Sequence, residues 1–232
     1  MSQKKISIAQ ILRPPSICSL CNQYHQNRRA ICESCLELFI PLGPACHICA
    51  MPLLDDKFLL CGQCIRKKPK FDRVIASYRF EEPLRTLLHE FKYYEGLYLN
   101  AFIADLMLNN LPDLHNTQCL IPVPMHPRRL RERGYNQANE LTKYLAAHLR
   151  LPYELFLCKK IRNTASQAGL DGKQRRQNLR GSFTTKTIRY RHITLVDDLL
   201  TTGSTANELA GVLKKQGAAH VDVWCCARAT SE

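Results

Sequence analysis

Two adjacent carboxylates followed by a hydroxyl-rich loop form the segment of this sequence that is best suited to chemistry. An apolar run from Ile193 leads into Asp197 and Asp198. The loop that follows consists of Thr201, Thr202, Gly203, Ser204 and Thr205. Because two charged carboxylates cannot be buried unpaired, we expect them to face a hydroxylated or cationic ligand. A glycine among hydroxyl side chains at a helix start lets backbone N–H groups surround an anion, which predicts a phosphate-binding site.

Two widespread nucleotide-binding loops fit these residues less well. A Walker loop needs a Gly-Lys pair that is missing after Gly203, and one glycine is too few for a dinucleotide fingerprint. An ordinary strand end with a Thr-Ser helix cap remains the simplest alternative. The combination of an apolar strand, two aspartates and five loop residues favours the phosphate site.

Eight of the twelve cysteines form four C-x-x-C pairs near the N-terminus, separated by ten, ten and eleven residues. Two such pairs supply the four sulfur ligands of a tetrahedral structural zinc ion, so we predict two zinc sites. The simplest ligand sets are sequential, and an interleaved pairing is also open. The sequential sets are Cys18, Cys21, Cys32 and Cys35 for one ion, and Cys46, Cys49, Cys61 and Cys64 for the other.

Iron–sulfur and redox roles for these cysteines are less favoured. Regularly spaced pairs are more typical of single tetrahedral ions than of clusters, and one redox pair would not need four copies. The segment has few large apolar residues, so metal binding must supply much of its stability. The other four cysteines lie in apolar strand patterns and are interpreted as core thiols: Cys119, Cys158, Cys225 and Cys226.

Alternating strands and helices must position the aspartates and the loop. Hydrophobic periodicity predicts strands at 73–80 and 118–124 and helices at 82–93 and 136–149. A closing unit follows, with a strand at 192–197, a helix at 204–216 and a strand at 220–226. A strand, helix and strand joined this closely predict an α/β fold with a mainly parallel sheet, whose ligand site lies at the carboxyl ends of the strands. We predict a zinc-ribbon module at 1–70 and an α/β domain at 71–232.

Several motifs resemble one known family. Residues 196–205 match the signature of type I phosphoribosyltransferases throughout their length. Together with the cysteine-rich N-terminus, five further features resemble the ComF/GntX family over nearly the whole chain. These features are the segment 122–129, the segment 133–137, Gln167, Arg175 with Asn178, and the ending 224–228.

The resemblance implies a double zinc ribbon fused to a type I phosphoribosyltransferase domain that binds phosphoribosyl pyrophosphate with Mg²⁺. Asp197 and Asp198 would bind the ribose hydroxyls, and Thr201 to Thr205 would hold the 5′-phosphate. The pyrophosphate loop would comprise Pro124, Met125, His126 and Arg128, with Arg129 as a further charge partner. The catalytic candidates are then Asp197, Asp198 and Arg128.

The resemblance also implies a cellular role, since ComF members are linked to natural transformation and act on incoming single-stranded DNA. We therefore expect uptake of single-stranded DNA, with a helicase-like protein as a further candidate partner. Two alternatives stay open: an active phosphoribosyltransferase of nucleotide or amine metabolism, and a sensor that binds phosphoribosyl pyrophosphate without turnover. No nucleobase pocket is recognisable in the sequence.

The composition agrees with an anionic partner. The chain has 33 Lys and Arg against 20 Asp and Glu, a formal charge of +13. Its 232 residues, 45% of them hydrophobic, can form a core. No apolar run is long enough for a membrane span or a signal peptide, so we expect a cytoplasmic protein without membrane insertion.

Three further features have two interpretations each. Residues 162–180 are basic and glycine-containing, which predicts either a lid over the site or a solvated loop. Lys92 is more typical of a helix end than of a phosphate contact. Tyr135 can stack on a base or pack on the sheet.

Overall fold

The computed structural model describes residues 16–26, 29–111, 113–114, 116–163 and 179–230. Most of the candidate lid, including Gln167, Arg175 and Asn178, lies outside these residues. Backbone contacts divide the chain into two compact units, Met1–Leu38 and Phe39–Glu232. The second cysteine set falls in the larger unit, and the predicted boundary near residue 70 stays a prediction.

The smaller unit is built around the first cysteine set. Strand β1 (Ser16–Ile17) pairs antiparallel with β2 (Tyr24–His25), and a short helix α1 (Glu33–Leu36) follows. In the part of this unit that is described, the buried apolar side chains are Cys18, Ile31 and Cys35. So few buried apolar groups among the described residues agree with the prediction that metal binding stabilises this unit.

The larger unit contains a four-stranded parallel sheet and a separate antiparallel pair. The sheet has the order β3-β8-β7-β4, and each neighbouring pair is parallel, as predicted. The antiparallel pair is formed by β5 and β6. In chain order the strands are β3 (Arg73–Arg79), β4 (Cys119–Pro122), β5 (Cys158–Lys160), β6 (Phe183–Thr185), β7 (His192–Leu200) and β8 (His220–Arg228).

Six α-helices and a 3₁₀ turn are described in the larger unit. They are α2 (Gly62–Arg66), α3 (Leu84–Glu90), the 3₁₀ turn Tyr94–Leu99, α4 (Asn100–Asn109), α5 (Pro127–Arg133), α6 (Gln137–Leu149) and α7 (Ser204–Lys215). Local sequence explains several ends. Helix α5 starts with a proline and stops at Gly134, which has a left-handed φ of 80°. The Asn136 side chain accepts from the Ala138 N–H and caps α6.

Strand β7 is longer than its predicted range of 192–197. It continues to Leu200, so Asp198 lies within the strand, as Asp197 does, and not after it. The prediction ended the strand where the apolar run changes to charge. The backbone pairing with β8 continues beyond that point, as far as Leu200 opposite Arg228. The aspartates are therefore held by a rigid ladder of hydrogen bonds.

The core lies on both faces of the sheet. Trp224, Ile121 and Leu195 are fully buried. The predicted core thiols Cys119, Cys158, Cys225 and Cys226 are also buried, and all twelve cysteines are free. Within the described ranges, no helix has the length and apolar character that crossing a membrane requires.

Candidate functional site

The structure assembles the cysteines into the two sequential sets. Cys18, Cys21, Cys32 and Cys35 form one cluster, and Cys46, Cys49, Cys61 and Cys64 form the other. All sulfur atoms within a cluster lie within 4.8 Å of one another, and the Cys21 and Cys32 Sγ atoms are 3.8 Å apart. Zinc–sulfur bonds of about 2.3 Å place tetrahedral ligands about 3.8 Å apart. Both clusters therefore fit a zinc ion.

Each cluster contains one thiol that ionises easily, and zinc binds the thiolate form. Burial opposes ionisation of Cys18, but backbone N–H groups, led by that of Cys32 at 3.4 Å, lower its pKa to about 6. Burial likewise opposes ionisation of Cys46, and backbone hydrogen bonds from Cys49 and Cys61 lower its pKa to about 7. The backbone thus prepares each cluster for its metal.

A cavity of about 240 Å³ lies at the carboxyl ends of β4 and β7. It brings together seven of the residues predicted to bind the ligand: Asp197, Asp198, Thr201, Thr205, Pro124, Met125 and His126. Parallel neighbouring strands end at the same edge of a sheet, which is why segments far apart in sequence meet here. Asn136 and Gln137 at the start of α6 also line this cavity.

The two aspartates lack full compensation for their charge. Asp198 is buried, its Oδ2 has no hydrogen-bond partner among the described residues, and the Lys92 Nζ lies 3.9 Å away. The Asp197 Oδ1 accepts from the Asp198 N–H at 3.0 Å. Burial, and then the neighbouring Asp198 charge, raise the pKa of Asp197 well above its usual range. A cation or a ribose diol would supply the missing partners, so the pair fits both groups.

The hydroxyl loop has the backbone conformation that the sequence predicts. Gly203 has a φ of 72° and forms the N-cap of α7, a conformation that favours glycine. The Thr202 Oγ1 and the Ser204 Oγ are 3.0 Å apart. Thr201 and Thr205 line the aspartate cavity, whereas Thr202, Gly203 and Ser204 line a second cavity of about 420 Å³. The loop thus borders two cavities.

Only some of the residues predicted for the pyrophosphate loop after β4 line the aspartate cavity. Pro124, Met125 and His126 line the aspartate cavity. The His126 Nδ1 accepts from the Arg128 N–H at 3.2 Å, so this histidine caps α5. Arg128 is exposed and lies outside the lining residues, while Arg129 is among them. The assignment of Arg128 as a catalytic residue stays a prediction, and the geometry favours Arg129 for the same charge.

Two lysines that the sequence did not assign to the site line the cavity. A phosphate contact was the less favoured interpretation of Lys92, and no site role was predicted for Lys160. Burial, and then the nearby Arg129 charge, lower the pKa of Lys160 to about 8, although Asp197 opposes this. On β5, Lys159 is exposed and Lys160 is half-buried. This difference depends on the neighbours of the strand, so the sequence did not show it.

Tyr135 packs against the turn that carries Lys92. Its hydroxyl donates to the carbonyl oxygens of Phe91 and Tyr93, the second at 3.0 Å. Tyr135 therefore packs on this turn, and not on the sheet as one interpretation of the sequence expected. Stacking on a base stays a prediction.

Arg228, at the end of β8, is a buried arginine that joins the second zinc cluster to the hydroxyl loop. Its Nε donates to the Cys49 carbonyl at 2.9 Å. Its Nη1 donates to the carbonyls of Leu200, at 3.2 Å, and Thr201. The side chain is 3% exposed. A charged donor that is shared in this way links the segments around Cys49 and Leu200–Thr201 to the end of β8.

Comparisons with known proteins match both parts of the chain. The double zinc ribbon domain family matches residues 8–65. Competence protein F of Haemophilus influenzae is 33% identical over 88% of this chain and 93% of its own length. DNA utilization protein YhgH of Salmonella typhimurium is 30% identical over 94% and 99%. Competence protein ComFC of Bacillus subtilis is 27% identical over 82% and 80%.

One solved structure is partly similar. It is the glutamine phosphoribosylpyrophosphate amidotransferase from B. subtilis complexed with ADP and GMP, with a TM-score of 0.38 and 18% identity. The similarity covers 56% of this chain and 27% of that chain.

The two cysteine clusters, the parallel sheet with its aspartate cavity and the full-length relatives agree with the motifs of the sequence. The chain belongs to the ComF/GntX family, together with competence protein F and DNA utilization protein YhgH.

Proposed function

We propose that this protein binds phosphoribosyl pyrophosphate with Mg²⁺ in the aspartate cavity and takes part in the uptake of single-stranded DNA during natural transformation. Its relatives are named for competence and for DNA utilization, which supports a competence-related role. The observation that carries the ligand assignment is the meeting of Asp197 and Asp198 with Thr201, Thr205 and the loop after β4 around one cavity.

The charges of the cavity suit a polyanion that carries a diol. Its lining includes four cationic side chains against the two carboxylates: Lys92, Arg129, Arg133 and Lys160. Arginine stays charged and binds phosphates through two N–H groups at once, so Arg129 and Arg133 are suited to a diphosphate. Asp197 and Asp198 are suited to the two ribose hydroxyls, which can donate to them.

The backbone at Gly203 is suited to the 5′-phosphate. Its left-handed φ turns the chain at the first residues of α7, where the positive end of the helix dipole favours an anion. The hydroxyl of Thr205, which lines the cavity, adds a side-chain donor. This loop would hold the phosphate through the helix start and hydroxyl groups, without a positively charged side chain.

Magnesium would bind through carboxylate and ligand oxygens, for which Asp197 and Asp198 are the available protein groups. When bound, it neutralises diphosphate charge. The residues of this chain would orient the ligand. The aspartates would hold the sugar, and Arg129 and Arg133 would hold the diphosphate. The two zinc sites are structural, since each has four thiolates and no open position.

Isothermal titration with phosphoribosyl pyrophosphate and Mg²⁺ tests the ligand assignment. We expect Asp198→Asn to weaken binding by at least about tenfold, because a charged partner of the ligand is lost. Asp56→Asn, which alters an exposed carboxylate outside the lining residues, is the matched control and should bind as the unaltered protein does. Equal affinity in both variants would refute the assignment.

Pyrophosphate release separates binding from transfer. The protein is incubated with Mg²⁺, labelled phosphoribosyl pyrophosphate and candidate acceptors, including single-stranded DNA. Ligand binding without release supports the role proposed here. Release in proportion to one acceptor would instead identify a phosphoribosyltransferase and its substrate.

A further inference from the structure

An apolar groove of about 380 Å³ adjoins the aspartate cavity. Helix α5 contributes Leu130, and the segment around β5 contributes Phe156 and Ile161. Met125 and Lys160 line both the groove and the cavity, so the two share a boundary. The groove thus adjoins the ligand site and shares part of its lining with it.

The apolar side chains of the groove are unusually exposed. Phe156 is 70% exposed, Ile161 is 56% exposed and Leu130 is 39% exposed. A single exposed apolar residue is ordinary, but several around one groove indicate a binding surface. An exposed phenyl ring in particular offers a flat face to a planar ligand.

Basic side chains line this apolar surface on β5 and are also exposed on the helix that carries Leu130. Lys159 is exposed and lines the groove beside Lys160. Arg128 and Arg131 are exposed on α5, the helix that carries Leu130. Aromatic faces combined with backbone-tracking cations are the composition that binds single-stranded nucleic acid. The charges of the groove and of a phosphodiester chain are complementary.

The Asn136 amide of the groove is used within the protein. The Asn136 Nδ2 donates to the Val123 carbonyl at 3.1 Å and to the Asn139 Oδ1 at 3.0 Å. A pocket for a small acceptor usually presents polar groups that select one molecule. Stacking on a ring selects no particular base, which fits DNA of any sequence.

We propose that this groove binds an unstacked base of single-stranded DNA, with the base on the Phe156 ring and the neighbouring phosphates on Lys159, Arg128 and Arg131. The inference rests on the proposed function, because it names the place where the DNA of that function binds. It places the DNA beside the phosphoribosyl pyrophosphate cavity, with Met125 and Lys160 between them.

Fluorescence anisotropy with a short labelled oligo-dT tests the stacking contact. We expect Phe156→Ala to weaken binding roughly 5- to 100-fold, the effect of losing one base–aromatic stack. Phe156→Trp keeps a ring and should retain the affinity, while Phe156→Leu should not. Phe58→Ala removes a comparably exposed phenylalanine outside the groove and is the matched control.

An abasic oligonucleotide with the same number of phosphates separates stacking from charge. Its affinity should be the same for the unaltered protein and for Phe156→Ala. The dependence of oligo-dT affinity on salt should also keep its slope in Phe156→Ala, because no phosphate contact is lost. Lys159→Ala should flatten that slope by about 0.7.

The outcomes distinguish this inference from the function on which it rests. If the unaltered protein does not bind oligo-dT at all, the DNA role and the groove both fail. If it binds and Phe156→Ala binds equally well, only the groove assignment fails. If the unaltered protein sediments as a dimer and Phe156→Ala sediments as a monomer with unchanged DNA binding, the groove is instead a contact between two copies of the chain. Binding of phosphoribosyl pyrophosphate should be unchanged in Phe156→Ala.

Discussion

Asp197 is a carboxyl group whose ionised form is poorly stabilised in the ligand-free protein. Burial and the adjacent Asp198 charge raise its pKa well above the usual range. The folded state therefore holds this proton more tightly than the unfolded state does. Its contribution to the free energy of unfolding falls as the pH rises from the ordinary carboxyl pKa to the raised one, and the loss is complete at higher pH.

We therefore expect Asp197→Asn to stabilise the ligand-free protein at neutral pH while it weakens ligand binding. Each 1 kcal/mol gained should raise Tm by about 2–4 °C in a chain of this size. Thermal unfolding at pH 7 without ligand measures the change, with Asp56→Asn as the control. A Tm at or below that of the unaltered protein would contradict the conclusion that the ionised Asp197 carboxylate is poorly stabilised.

Lys160 should take up a proton when a polyanion binds. Burial and Arg129 lower its pKa to about 8, so about half of the molecules are neutral at pH 8. A bound diphosphate favours the charged form and raises this pKa. Calorimetry at pH 8 in buffers of different ionisation enthalpy should therefore detect uptake of up to about half a proton.

Lys160→Met provides the control for this proton uptake, because phosphate groups of the ligand can also exchange protons. The uptake at pH 8 should be smaller in the variant, and the difference should vanish near pH 6, where Lys160 is already charged. The same uptake in both proteins at pH 8 would exclude Lys160 as its source.

At the scale of elements, Arg228 links the end of β8 to the second zinc cluster and the hydroxyl loop. Its hydrogen bonds reach the carbonyls of Cys49, Leu200 and Thr201. A lysine cannot reproduce this fork of donors. We expect Arg228→Lys to weaken phosphoribosyl pyrophosphate binding and to speed zinc release to a colorimetric chelator.

Arg73→Lys is the matched control for this link. Arg73 starts β3, and its side chain donates to Asp222 at 3.0 Å rather than to the hydroxyl loop or the cysteine cluster. It should change neither ligand affinity nor zinc release. If Arg228→Lys alters neither quantity, the arginine contributes only packing.

The sequence predicted the elements best where local signals mark their ends. The helix predicted at 136–149 is found at Gln137–Leu149, because Asn136 caps its start and leucines recur on one face. Strand β7 was predicted too short, since the change from apolar to charged residues marks a change of environment and not the end of pairing. Its end depends on β8, which the local pattern cannot show.

At the scale of the whole molecule, the two zinc sites should have different effects on ligand binding. The second cluster lies in the unit that contains the aspartate cavity, and the Ile48 carbonyl next to it accepts from the Val74 N–H of β3 at 2.8 Å. The first cluster lies in the smaller unit. Loss of zinc from the second site should therefore disturb the hydroxyl loop.

Cys46→Ser and Cys18→Ser compare the two sites, because each removes a thiol of lowered pKa. We expect Cys46→Ser to lower both Tm and the affinity for phosphoribosyl pyrophosphate. We expect Cys18→Ser to lose zinc from the first site while the affinity stays unchanged. Zinc content, thermal unfolding and titration calorimetry are measured on both variants. Equal losses of affinity would show that both sites support the cavity.

The amino-acid sequence alone was sufficient for the zinc ligands. It also predicted a phosphate site from the paired carboxylates and the hydroxyl loop, and the phosphorylated sugar is proposed from the family resemblance. The sequence also indicated the parallel sheet. These conclusions follow from residue type and local spacing, which the chain carries before it folds. The zinc pairing, the entry of Lys92 and Lys160 into the cavity and the meeting of Leu130 with Phe156 came from the tertiary structure. They depend on which distant segments meet at one sheet edge, and strand pairing and core packing determine that.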